Sequence, residues 1–167
     1  MMKKILTYTG IALAVALVVI QFFPVEKNNS NENQYHISTK YNVPPEIGNL
    51  LKGACNDCHS NLTKYPWYAS IQPVGWWLDG HIRHGKGELN FSEFTSRPAA
   101  VQYHKFEEIV EVIDEKEMPL SSYTLFGLHP EGNLSDKERE RLIIWAQGQM
   151  AMMKVIFPQD SLERKRE

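Results

Sequence analysis

Apolar and polar positions change rhythm repeatedly along the chain, and each change predicts an element. From Ile5 to Phe23 no charge interrupts a run of 19 residues. At about 1.5 Å per residue a helix of that length reaches about 28 Å, close to the thickness of a membrane's hydrocarbon core. Residues 25–42 then turn polar, with an Asn-rich stretch from Asn28 to Gln34; such a segment buries too little apolar surface to offset its ordering entropy, which predicts a flexible tether. Pro44-Pro45 opens a helix in which Ile47, Leu50, Leu51 and Ala54 recur at helical spacing, and the same face continued reaches Cys58. An aromatic-rich segment follows, half loop, leading into a helix from about Val74 to His84 that Gly85 and Gly87 are expected to stop. Leu89 to Phe94 reads as irregular. From about Pro98 to Glu115, Tyr103, Phe106, Ile109, Val110 and Ile113 share one face, opposite a solvated face of Glu107, Glu108, Glu111 and Asp114. Ser135-x-x-Glu138 is a capping box, and Leu142, Trp145, Ala146, Met150 and Met153 form the stripe of the helix it starts, with Pro158 marking an end.

These elements predict an all-α chain. A membrane anchor occupies residues 1–24, a linker 25–42, one helical domain 43–156 and a charged tail 157–167. Nothing in the net charge of −2 over 167 residues argues for a nucleic-acid partner. A cleaved leader would have an apolar region of about 7–15 residues ending in a small-x-small site, whereas this run closes on the bulky Gln21-Phe22-Phe23-Pro24. The expectation is an uncleaved single-pass anchor. Lys3 and Lys4 place its N-terminus in the cytoplasm and the domain on the periplasmic or extracellular side of the cytoplasmic membrane.

The candidate chemistry is concentrated in one pentapeptide. Both cysteines fall in Cys55-Asn56-Asp57-Cys58-His59, the CxxCH signature for attaching a single c-type haem. Two thiols one helical turn apart can each add to a vinyl group, and the adjacent imidazole of His59 can take one axial position on the iron. A thioredoxin-like pair would follow a strand, a zinc site would want a second pair of ligands, and a disulfide would leave His59 without a role. For the second axial position the pattern offers Met118, on the extended pre-proline segment Lys116-Glu117-Met118-Pro119 ahead of the capped helix. His81 is the alternative ligand, with His84 one turn away. Trp67 and Trp76 could supply flat walls for a porphyrin.

With these residues in place the chain resembles the bacterial single-haem haem-binding domain proteins, relatives of cytochrome c. The resemblance runs from about Val43 to Ala151 and rests on three blocks, Cys55–Leu78, Glu88–Phe94 and Lys116–Ala146. That group also carries an apolar anchor ending in Gln-Phe, as at Gln21-Phe22 here. The resemblance implies covalent haem in an exported, membrane-tethered domain. The wider likeness to small cytochromes c implies that Cys55 and Cys58 carry the haem, with His59 proximal and Met118 distal. It also implies that a proline carbonyl, of Pro73 or Pro66, accepts a hydrogen bond from the proximal imidazole. The chain departs from those cytochromes in lacking a Gly-Pro dipeptide there and in its Asn90-Phe91-Ser92 segment.

The function expected from this reading is single-electron transfer to or from redox proteins of the membrane or periplasm. A peroxidase-like enzyme would instead leave the sixth position open and use His81 or His84 for proton transfer. A haem-based sensor acting through the single membrane helix is the third class, and no recognisable output domain accompanies it.

Overall fold

The first helix, α1 (Met2–Val19), runs on through a 3₁₀ turn at Ile20–Phe22, giving an apolar span of 21 residues with mean hydropathy 2.2 and no side chain buried against the rest of the molecule. It is long and apolar enough to cross a membrane. The computed structural model describes residues 2–163, and among them every regular element is helical, apart from one isolated bridge between Asn29 and Leu62.

The helices follow as α2 (Pro45–Ala54), a one-turn α3 (Asn56–His59) that the sequence pattern does not predict, α4 (Val74–Glu88), α5 (Ala99–Asp114) and α6 (Asp136–Ile156). Pro44 and Pro45 start α2 where a missing N–H leaves no bond unmade. The capping box of α6 forms in both directions, Ser135 Oγ accepting from Glu138 N–H and the Glu138 carboxylate accepting from Ser135 N–H. The amphipathic faces of α5 and α6 meet as the main packing, with Phe106, Ile109 and Ile113 against Leu142, Trp145 and Ala146. Phe106 sits edge-on to both Trp145 and Tyr41, at ring-centroid distances of 5.7 and 5.0 Å.

Three expectations need correcting. The tether over 25–42 is packed, not flexible. Ile37 is 0% exposed and Tyr41 is buried in the core, and Ile37 N–H donates to Phe91 O at 2.9 Å. Asn28, in the stretch that makes the segment look like a linker, is spent on specific partners: its Nδ2 donates to Ser60 O and Thr63 Oγ1, and its Oδ1 accepts from Lys86. Averaged composition hid two apolar anchors among satisfied polar groups. The tail is corrected in the same way, since Leu162 is buried and Phe157 half-buried against the core; residues 164–167 lie outside the described residues. Lastly, α4 runs through Gly85 and Gly87 to Glu88, for a reason that belongs to the site.

If 25–42 belongs to the domain, truncating it there should behave as a core mutation. Ile37→Ala is expected to lower the free energy of unfolding by about 2–5 kcal/mol, read by denaturant titration of the full chain. A true tether would show almost no change.

Candidate functional site

The cysteine motif does not extend α2. Cys55 leaves helical geometry (φ −125°, ψ −44°), closing α2 through its N–H to Leu51 O and opening α3 as the carbonyl that accepts from His59 N–H, each at 2.9 Å. This corrects the expectation of one continuous face. The kink places both thiols and the imidazole on a separate turn whose direction is set by other contacts.

Those contacts come from α4 and the segment after it. His59 Nδ1 donates to Leu89 O at 3.0 Å, and Phe91 N–H donates to His59 O at 2.8 Å. Asn90 Nδ2 donates to Asn61 Oδ1, and Ser92 Oγ accepts from Asn61 N–H. The Asn90-Phe91-Ser92 segment is therefore the platform that holds the chain leaving the motif. It also shows that the carbonyl partner of the imidazole is Leu89's, not that of Pro73 or Pro66. Gly85 explains why α4 continues: a Cβ there would stand 2.9 Å from Cys58 O and 3.2 Å from Cys58 Cβ. The glycine lets helix and motif backbone touch.

On the other flank the motif is pinned to the chain that follows Met118. Tyr123 Oη donates to Asp57 Oδ2 at 3.0 Å, and its ring stacks on His129 at 4.2 Å. Tyr68 Oη and His129 Nε2 are 2.7 Å apart. Burial first, then the Asp57 carboxylate, push the Tyr123 phenol well above its usual pKa, so it stays a donor. Met118 itself is clamped through its backbone, its N–H donating to Val112 O at 3.1 Å and its carbonyl accepting from Arg139 Nη1 at 2.7 Å.

Between these walls lies a cavity of about 340 Å³, within the range of small-ligand sites. Its apolar lining comes from Leu51, Leu89, Phe91, Ile109, Val112 and Leu142, among others, and Cys55, Cys58, His59 and Met118 all open onto it. His81 and His84 line it too, near the charged Glu88, Lys105, Glu108 and Glu111; since His84, Glu88 and Glu111 are exposed, this is the side that meets water. Trp67, Trp76 and Pro73 are not among the lining residues, and they stand exposed elsewhere on the surface.

The protonation of the site follows from its dryness. Burial, then the neighbouring Cys58, push the Cys55 thiol up to about 12; burial, then Asp57, push Cys58 up to about 11. A reactive redox cysteine has the opposite shift. Burial lowers the His59 pKa, opposed by the Leu89 and Gly85 carbonyls. The imidazole is thus neutral, and its Nδ1–H bond to a carbonyl leaves Nε2 as the free lone pair. An apolar slot with one free imidazole nitrogen and a thioether fits a haem, and two protonated thiols open onto the same slot.

The chain matches the family model described as a haem-binding domain over residues 15–148. It belongs to the haem-binding domain family. The match takes in 25–42, consistent with the packing of Ile37 and Tyr41 into this haem-binding domain. No curated protein and no solved structure matches the chain.

Sequence reasoning missed several residues that build the site. Gly85 carried a usable signal, a glycine inside an otherwise helical pattern. Leu89 carried none, because its backbone carbonyl acts and any residue has one. Tyr123, Asp57 and Arg139 meet only through the fold. Gly85→Val should cost about 1–3 kcal/mol through overpacking and lower the haem-to-protein ratio of purified protein, although both thiols and His59 remain. Unchanged loading and an unchanged unfolding midpoint would show that the α4–motif contact is dispensable.

Proposed function

We propose that the domain is a monohaem c-type electron carrier, with Cys55 and Cys58 bound covalently to one haem and His59 and Met118 as axial ligands. Each thiol adds across a vinyl group: the sulfur bonds the inner carbon, its hydrogen goes to the terminal carbon, and no oxidant is consumed. When bound, haem supplies a one-electron ferric–ferrous couple. His59, oriented by Leu89 O, offers Nε2 to one face. Met118, held by Val112 O and Arg139, offers a thioether from the α5–α6 side. The carrying observation is that these four side chains open onto one apolar cavity.

His81 is less suited to the distal role. It stands on α4, the helix whose C-terminal end already holds His59, and its ring leans on Trp77 at 4.3 Å with Nδ1 against Trp77 O. Met118 comes instead from the connection between α5 and α6, whose helices hold its backbone through Val112 and Arg139. In this reading α1 anchors the domain N-terminus inward, facing its redox partners on the periplasmic or extracellular side.

A spectroelectrochemical titration of the haem-loaded protein, paired with a peroxide turnover assay, tests the assignment. The expected result is a single reversible one-electron wave and peroxide turnover no faster than the background of free haem. Rapid saturable peroxide turnover would move the protein to the enzyme class.

A further inference from the structure

Beside the foot of α1 the protein exposes an apolar patch that the haem site does not use. Trp67 is 75% exposed and Trp77 49%, and Ile71, Val74 and Trp76 are open as well. They lie on the 3₁₀ turn Trp67–Ser70, the loop after it and the first turn of α4. None lines the cavity. Three exposed tryptophans within residues 67–77 are unusual on a surface meant to face water only.

Hydrogen bonds fix where this patch sits. Gln21 Nε2 donates to Gln72 O at 3.0 Å and Gln72 N–H returns a bond to Gln21 Oε1 at 2.9 Å. Trp76 Nε1–H donates to Phe23 O at 2.8 Å. Gln21 lies in the last turn of the Met2–Phe22 span. The segment bonded to it therefore stands at the level where the span leaves the hydrocarbon. Tryptophan favours that layer, where its ring is half in lipid and its N–H among polar groups. Downstream, the bonds of Asn28 to Ser60 and Thr63 remove the slack that would let the domain swing away.

We propose that this face is seated in the headgroup layer of the lipid bilayer that α1 enters. The membrane thus holds the domain by the anchor and by Trp67, Trp77 and their apolar neighbours together. The inference rests on α1 spanning a membrane, and it adds an orientation. Gly85, at the cavity wall, lies nine residues beyond Trp76, about 14 Å along α4, so the seat holds the haem site at a fixed short distance from the bilayer surface.

The test uses the full haem-loaded chain in phosphatidylcholine–phosphatidylglycerol vesicles containing a phospholipid with a photoreactive diazirine near its headgroup, with adducts mapped by mass spectrometry. Adducts are expected in the 67–77 segment as well as at the ends of α1. Flotation with the vesicles but no adduct in 67–77 would overturn the seat and leave the anchor standing. Failure to float in a carbonate-washed gradient would overturn both. Trp67→Ser combined with Trp77→Ser keeps the Trp76–Phe23 bond; it should reduce adducts in 67–77 several-fold while labelling of α1 is unchanged. An undiminished yield from that variant would remove the rings from the argument and overturn the proposal.

Discussion

Replacing either cysteine of the motif by serine should strip most of the haem from protein run on a denaturing gel, and replacing both should remove all of it. Cys55 and Cys58 are the only cysteines in the chain, and both face the same apolar cavity, so no other thiol can substitute. The measurement is haem-dependent peroxidase staining of protein made in cells able to attach haem c. If wild type itself loses its haem in that gel, covalent attachment is wrong and the haem is held only by its iron ligands and packing. The effect should extend to folding. An emptied site of about 340 Å³ leaves its apolar walls without packing partners. Total stability for a domain is about 5–15 kcal/mol. The double variant should accordingly melt without a cooperative transition, retaining helix while losing fixed packing.

Helix existence was legible in the chain because α2, α5 and α6 bury one face each, and a buried face imposes a 3.6-residue period on the sequence. The motif stood out because two thiols and an imidazole at one fixed spacing form a pattern that needs no fold to be seen. What could not be read were contacts between distant segments that leave no period. Nothing in the string around Asn28 says that its amide reaches Ser60 O, and nothing around Leu89 says that its carbonyl orients His59. The aromatic segment was legible as important but not as to purpose. Trp67 and Trp76 suit a porphyrin wall and a membrane boundary equally well by side-chain chemistry. Their absence from the cavity lining argues against the porphyrin wall, and the bond from Trp76 to Phe23 O supports the proposed boundary.

Met118→Ala should lower the reduction potential by tenths of a volt, within the roughly 0.8 V range that axial ligands command, and should open the ferrous protein to carbon monoxide. The argument runs through the clamp on Met118. Its N–H is tied to Val112 O and its carbonyl to Arg139, which also reaches Ile113 O, so the backbone is held from both sides and the thioether is left to the cavity. A thioether stabilises ferrous over ferric iron, so losing it favours the oxidised form. Arg139→Gln should then give an intermediate result, a partial fall in potential and slow carbon monoxide binding, because the ligand is still present but its loop is loosened. The pair of variants separates ligation from folding, since a merely structural effect would move the melting temperature without moving the potential. Wild type that already binds carbon monoxide fast, with a spectrum unchanged by Met118→Ala, would exclude Met118. His81→Ala would then decide between an open sixth position and a histidine, because only ligation by His81 predicts that its loss alters the spectrum.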